Sequence, residues 1–271
     1  MTVVVQGLTY RYRRDGPAVI KNINFRIAQG EIVAVTGLSG CGKSTLCNCL
    51  CGIIPHCQGG EMSGEVLING KNTRQFKIAS LALQVGMVFQ NPDTQLFSPT
   101  VEDEIAFAPE NMCLEPEFIR ERVDNVLALL EINEFREANP CQLSGGEKQL
   151  VALAAVLALD PPVLILDEVM SQLDSGSQKK VAAVLEKLHK QGKTIIMVEH
   201  DLETVAFTDR LMVINDGEIV RFERTESLLA DRDFLTASQL LFDDDQSMNK
   251  WRTVNALSGV EPSKLFLSTT K

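Results

Sequence analysis

Three stretches of the chain are almost continuously aliphatic: EIVAVTG at 31–37, VLILDE at 163–168 and KTIIMVEH at 193–200. Such runs suit strands covered on both faces of a sheet, where no position is left for water. Elsewhere the spacing is helical. EFIRERVDNVLALLEI places Ile119, Val123, Val126, Leu127 and Leu130 on one face, and SQKKVAAVLEKLHKQG repeats Val181, Val184, Leu185 and Leu188 in the same way. The chain opens with TVVVQGLTYRY and AVIKNINFRI around an Asp15-Gly16-Pro17 turn, which predicts an initial β region. GEVLING and VGMVFQ read as further strands, and RLMVIND with GEIVRFE reads as a hairpin about Asp216-Gly217. Strands alternating with helices imply an α/β fold built on a largely parallel sheet.

The punctuation of this pattern divides the chain. From Asn91 to Gln142 it is mainly helical, Ser144 opens another helix, and Asp160-Pro161-Pro162 stops it because proline lacks the backbone donor. Gly192 marks a further helix end. After about Thr225 the alternation is lost. SLLADRDFLTASQLLF keeps helical potential, and from Asp243 the chain is polar and irregular.

Composition narrows the function classes. A chain of 271 residues with 45% apolar content can bury a substantial core. Its formal charge of −10 argues against a general affinity for nucleic acid backbones and against unaided attachment to anionic lipid. The N-terminus lacks the pattern of a secretory signal, and no apolar run approaches the ~20 residues needed to cross a bilayer. A cytosolic protein with reduced cysteines is expected, and any work at a membrane requires a span from another chain.

The chemistry is concentrated at strand ends. Gly37-Leu38-Ser39-Gly40-Cys41-Gly42-Lys43-Ser44 fits Gly-x-x-x-x-Gly-Lys-Ser between a predicted strand and a helix that continues through Thr45. Glycines let backbone amides wrap around phosphates, and the helix N-terminus adds its positive dipole end. Lys43 is placed to neutralise the β- and γ-phosphates of a nucleotide, and the Ser44 hydroxyl to ligate Mg2+. VLILDE delivers Asp167 and Glu168 to the carboxyl edge of the sheet, where ligands bind in open α/β folds. Asp167 would hold Mg2+ through its water, and Glu168 would act as general base on the attacking water. Ser144-Gly145-Gly146-Glu147 forms a capping box whose two glycines leave helix amides uncovered.

Together these motifs closely resemble the ATP-binding-cassette (ABC) family over residues 3–224, with Gln90 in VFQNP as the glutamine loop, LSGGEKQ as the signature and His200 in VEHD as the switch histidine. The resemblance implies a P-loop NTPase core of the RecA-like class, with an N-terminal antiparallel β lobe and a helical signature subdomain inserted at about 91–145. Residues 225–271 then form a C-terminal extension. It also implies ATP and Mg2+ as cofactors, and a head-to-tail pair of ATPase subunits, homo- or heteromeric. Ser144, Gly145 and Gly146 of one subunit would complete the phosphate site of the other. Gln90 would sense Mg2+ and the attacking water, and His200 would contact the γ-phosphate. Tyr12 is expected to stack on adenine, with Leu8, Tyr10 and Tyr12 alternating along one strand face. SQLD resembles the D-loop and keeps Asp174, although Gln172 stands where alanine is usual and Val169 replaces a common proline or alanine.

No long coiled-coil insertion separates Gln90 from Ser144, and the chain carries one ATPase domain, which disfavours the nucleic-acid and translation classes of the family. FQNPDTQLFSPTVEDEIAFAPEN resembles the ATPase components of energy-coupling factor (ECF) transporters and their cobalt or nickel relatives. That likeness implies uptake of a vitamin or transition-metal ion, a transmembrane coupling subunit, a substrate-binding membrane subunit, and a peripheral place on the cytoplasmic face of the membrane. Glu104 would meet a basic group of the coupling subunit, although Glu102, Asp103 and Glu104 also favour a helix start by charge alone. A conventional importer or exporter ATPase and a soluble regulatory ATPase are the alternatives. Among the cysteines, Cys49 lies about 200° around a helix from Cys47 and Cys51, so the three do not converge on one metal, while Cys47 and Cys51 share a face and leave open a pair or triad with Cys57 or His56. Apolar packing is the ordinary fate of such thiols. Cys41, inside the glycine loop and near a helix N-terminus, is expected to have a lowered thiol pKa.

Overall fold

The computed structural model describes residues 2–241. Two sheets form its frame. The strands in chain order are β1 (Val3–Arg11), β2 (Ile20–Ile27), β3 (Ile32–Thr36), β4 (Glu61–Ile68), β5 (Lys71–Asn72), β6 (Val85–Val88), β7 (Val163–Asp167), β8 (Thr194–Val198), β9 (Arg210–Asn215) and β10 (Glu218–Arg224). An antiparallel sheet runs β2-β1-β4-β5, and a larger sheet runs β10-β9-β3-β8-β7-β6. All neighbours in the larger sheet are parallel except the β9–β10 hairpin. At its turn, Asp216 (φ 47°) and Gly217 (φ 80°) are both left-handed, as a tight two-residue hairpin requires.

The continuous apolar runs have a direct cause. β3, β7 and β8 are buried at every position. Their side chains divide by the two-residue period of a strand. Leu164, Leu166, Ile195 and Met197 join a core beneath the helices, with Ile32 and Ala34. Val163, Ile165, Ile196 and Val198 join a second core between the two sheets, with Val33 and Val35.

The helices Val101–Asn111, Pro116–Leu130, Gly145–Leu157 and Ser175–Lys190 cover the first core. The predicted face of Pro116–Leu130 is buried at Val123, Val126, Leu127 and Leu130, while Ile119 packs at its margin. The helix from Gly145 ends at Leu157, before Asp160-Pro161-Pro162, and Gly192 (φ 84°) follows the end of Ser175–Lys190. Past Thr225 lie the short helices Thr225–Ala230 and Arg232–Ala237, and Leu228, Leu229, Leu235 and Leu241 are buried in the first core. The expected polar stretch from Asp243 lies outside the described residues. Among the described residues no helix is long and apolar enough to cross a membrane.

Replacing the fully buried Leu127 by Ala should cost about 2–5 kcal/mol of unfolding free energy. A urea titration reads this as a lowered midpoint with an unchanged slope.

Candidate active site

The order β3-β8-β7 decides where the chemistry lies. β3 runs into the glycine loop, β7 ends at Asp167, and β8, between them, leads through Glu199 to His200. One cleft of about 490 Å³ is lined by Tyr12, Ser39, Gly40, Gly42, Lys43, Ser44, Thr45, Gln90, Glu168 and His200. Residues distant in sequence and chosen from separate motifs therefore meet at one edge of the sheet.

Backbone geometry explains two of the loop's glycines. Gly37 has φ 149°, and a Cβ there would lie 2.1 Å from the Ile214 carbonyl oxygen and 2.9 Å from Cys41 Sγ. Gly42 has φ 105°, and its Cβ would lie 2.9 Å from the Val19 carbonyl oxygen. The next residue starts the helix Lys43–Leu50. Lys43 is buried and donates from Nζ to the carbonyl oxygens of Gly37 (2.9 Å) and Leu38 (3.1 Å).

Opposite the loop, both carboxylate oxygens of Glu168 are engaged. Oε2 accepts from Gln90 Nε2 at 2.5 Å, and Oε1 lies 2.6 Å from His200 Nε2. Glu168 itself is left-handed, φ 54°, a conformation costly for a residue with a Cβ. Asp167 is buried, and its Oδ1 has no hydrogen-bond partner. Burial pushes its carboxyl above the ordinary range, while the Ser44 hydroxyl acts the other way; Glu168 raises it further, and Lys43 and His200 lower it. An unpartnered buried carboxylate oxygen beside a hydroxyl is a donor set of the kind that hard divalent cations such as Mg2+ prefer.

The two tyrosines are used differently. Tyr10 is fully buried and its hydroxyl donates to the Gly59 carbonyl at 2.5 Å. Tyr12 does not continue the buried face, because β1 ends at Arg11. It is 44% exposed at the cleft, stands edge-on to Tyr10, and its hydroxyl lies 2.8 Å from Thr45 Oγ1.

Ser144, Gly145, Gly146 and Asp174 lie outside this cleft. The capping box is formed: Glu147 Oε2 accepts from the Ser144 amide at 2.7 Å, and Ser144 Oγ from the Glu147 amide at 3.4 Å. Asp174 caps the helix Ser175–Lys190 through the amides of Gly176 and Ser177. The Ser177 hydroxyl holds its carboxyl below the usual range.

Two further expectations change. Glu104 is 4% exposed, and its Oε2 accepts the amides of Phe97 (2.9 Å) and Ser98 (2.7 Å). It anchors the loop before its helix, since amides left unpaired in that turn would be costly. The Cys41 pKa is raised, not lowered. Burial outweighs the Lys43 charge, although Nζ lies 4.0 Å from the sulfur. Cys47, Cys49 and Cys51 are buried as well. Burial pushes Cys47 well up, Cys49 to about 12 and Cys51 to about 11. They pack between the two sheets, with Cys51 Sγ 3.6 Å from Met87 Sδ.

Lys148 and Gln149 of the signature helix make contacts that the motif alone does not announce. Lys148 Nζ pairs with Asp93 at 2.7 Å, and buried Gln149 donates to the Phe89 carbonyl at 3.1 Å. They tie that helix to the chain on either side of Gln90. A polar residue among the helix's apolar positions was the available signal.

Comparison with known proteins identifies the family that the chain resembles. The sequence profile described as ABC transporter matches residues 20–171. The energy-coupling factor transporter ATP-binding protein EcfA of Methanosarcina acetivorans is 42% identical over 228 residues, covering 84% of this chain and 81% of that one. A putative ABC transporter ATP-binding protein of Methanosarcina mazei is 41% identical over 217 residues, 79% of this chain, which spans only 37% of that relative's length. Among solved structures, cbiO1 of Clostridium perfringens, part of the ABC transporter complex cbiONQ, superposes with a TM-score of 0.75 at 34% identity. The match covers 88% of this chain and 94% of cbiO1.

Brief alkylation of the folded protein at neutral pH should modify the exposed Cys57, Cys113 and Cys141 and spare Cys41, Cys47, Cys49 and Cys51. Because their thiols titrate upward, the buried four should react only as pH rises or the chain unfolds. Peptide mass mapping with and without denaturant checks this, and ATP should further slow whatever Cys41 labelling remains.

Proposed function

The chain belongs to the ABC transporter family and carries its ATPase domain, and we propose that it is the ATP-hydrolysing subunit of an ECF-type importer of a vitamin or transition-metal ion. The observation that carries the catalytic part is the meeting of Lys43, Ser44, Gln90, Glu168 and His200 in one cleft. Similarity to EcfA and to cbiO1 supports the ECF assignment.

In this reading ATP lies along the glycine loop, with its adenine against Tyr12 and its phosphates over the amides of residues 39–45. Lys43 exchanges its loop carbonyls for the β- and γ-phosphates. Ser44 and Gln90, with Asp167 through its water, would hold Mg2+, which would neutralise phosphate charge. Glu168 accepts the proton of the attacking water, so at least one of its contacts to Gln90 and His200 gives way first. The His200 side chain then turns to the γ-phosphate. Water oxygen bonds to γ-phosphorus, the bond to the β-bridging oxygen breaks, and ADP and phosphate leave.

A second subunit, either a copy of this chain or a similar ATPase, supplies Ser144, Gly145 and Gly146 across the interface, with Asp174 nearby. Gly145 and Gly146 have no left-handed φ, and an added Cβ would meet nothing closer than 3.8 Å. Their own subunit thus gives no steric reason for glycine, whereas a phosphate approaching from outside does. The transmembrane subunit docks at an apolar groove of about 270 Å³ that includes Ile78, Phe97, Phe107 and Leu159. Phe97 and Phe107 are 62% and 44% exposed. Glu104 shapes that groove by fixing the turn that carries Phe97.

Glu168→Gln should keep ATP affinity within about threefold while lowering turnover by roughly 100-fold or more. Nucleotide titration and phosphate release measure the two, and unchanged turnover removes Glu168 as base. Phe107→Asp should abolish co-purification with a membrane subunit encoded in a neighbouring gene while leaving ATP binding intact. Recovery of the soluble chain alone, with no membrane partner for the native protein, would favour a soluble regulatory ATPase.

A further inference from the structure

Three consecutive residues at the end of β8 grip the segment that carries Glu168. The Val198 carbonyl accepts the Glu168 amide at 2.9 Å. Glu199 Oε1 accepts the Met170 amide at 2.9 Å. His200 Nε2 reaches the Glu168 carboxylate at 2.6 Å. The middle contact is the one the ATPase reading leaves without a role.

Glu199 is an unusual residue for its place. It is 1% exposed, its own amide bonds to the Val35 carbonyl at 3.2 Å, and its side chain crosses to the strand-to-turn connection after β7. Met170 starts the turn Met170–Gln172 and is fully buried. Between the strand end at Asp167 and that turn, Glu168 holds a left-handed φ of 54° that its local sequence does not favour. A backbone held in that region persists only when the surroundings fix both of its ends. Val198 fixes one end. At the other, the Ser171 hydroxyl donates to the Glu168 carbonyl at 2.8 Å and Gln178 Nε2 to the Met170 carbonyl at 3.0 Å, while Glu199 holds the Met170 amide from β8.

We propose that Glu199 is a positioning residue for ATP hydrolysis: by holding the Met170 amide, it sets the register of Glu168 against His200 and Gln90. The inference rests on Glu168 as the base. A carboxyl is suited to the task because it reaches across from β8 with an acceptor that a short or apolar side chain lacks. Burial raises this carboxyl to about 8, with Glu168, Asp201 and Asp167 adding to the rise and the Met170 amide opposing it. The group is therefore mostly neutral at pH 7, and it adds little charge to an edge that already holds Asp167 and Glu168. A neutral acid also makes glutamine a fair replacement.

The test is a double-mutant cycle on the full chain, read by single-turnover ATP hydrolysis and nucleotide affinity. Glu199→Leu should slow hydrolysis by roughly 10- to 100-fold with ATP affinity held within about threefold, since a misplaced base affects chemistry more than binding. Glu199→Gln should retain about half or more of the native rate. In a Glu168→Gln background, Glu199→Leu should cause no further loss, because the group it acts through is already gone. Glu199→Asp, which keeps the acid but shortens its reach, is measured alongside. It should also slow hydrolysis, and it decides the matter if the leucine variant does not fold. Native rates for both Leu and Asp variants overturn the proposal, as do equal losses in both backgrounds, which would mean a general structural role. A native rate for Glu168→Gln alone defeats the base assignment instead, and is told apart by that single variant.

Discussion

The central constraint is the position of β8. It lies between β3, which feeds the glycine loop, and β7, which ends in the acidic pair, and all three strands are buried throughout. Side chains on alternate positions enter two different cores, so sliding any strand by one residue would exchange its two faces. The ladder is thereby held in register, with Asp167 opposite Val198 and Val35 opposite Val198. The loops leaving the carboxyl edge inherit that order. Lys43, Glu168 and His200 meet because the strands beneath them have few alternative alignments.

Most charges at this edge have partners within the chain. Lys43 bonds to loop carbonyls, and Glu168 bonds to Gln90 and His200. Asp167 is the exception, with one buried oxygen unpartnered. In the proposed reading a nucleotide entering the cleft exchanges partners with these groups. Such exchange costs less than ordering bare groups, since each side chain already lies near its working place. In the proposed reading Glu168 acts only once at least one of these contacts gives way, which would link hydrolysis to the arrangement around the γ-phosphate.

Much of this was legible in the sequence because the relevant signals are local. Aliphatic runs reported doubly buried strands, the spacing of Val123, Val126, Leu127 and Leu130 reported one helical face, and Ser144 with Glu147 reported a capping box. Less legible were properties set by contacts between segments. Cys41 has the neighbours that lower a thiol pKa, yet the folded loop buries it and reverses the sign. Glu104 carries the charge of a docking group, yet the turn at Phe97–Ser98 folds over it and takes its oxygen. Tyr12 shares the two-residue spacing of Leu8 and Tyr10, but the strand stops one residue short of it. Glu199 reads as an acidic neighbour of a histidine, and only the crossing from β8 to Met170 gives it a task.

The glycines separate demands made within the subunit from those made upon it. Gly37 and Gly42 have left-handed backbones and neighbours that exclude a Cβ, so the fold itself requires them. Gly145 and Gly146 begin a well-capped helix without left-handed backbone angles and with room for a Cβ at each. Alanine there would favour the helix by up to ~1 kcal/mol per position, so helix stability alone argues against glycine. In the ATPase reading, the partner subunit's nucleotide supplies the missing requirement, because close approach of a phosphate to helix amides leaves no room for side chains. The signature helix is also tied to both sides of Gln90 through Lys148 and Gln149. Contact at its N-terminus would thus reach the cleft of its own subunit, giving a pair of such subunits a physical path by which closing one site bears on the other.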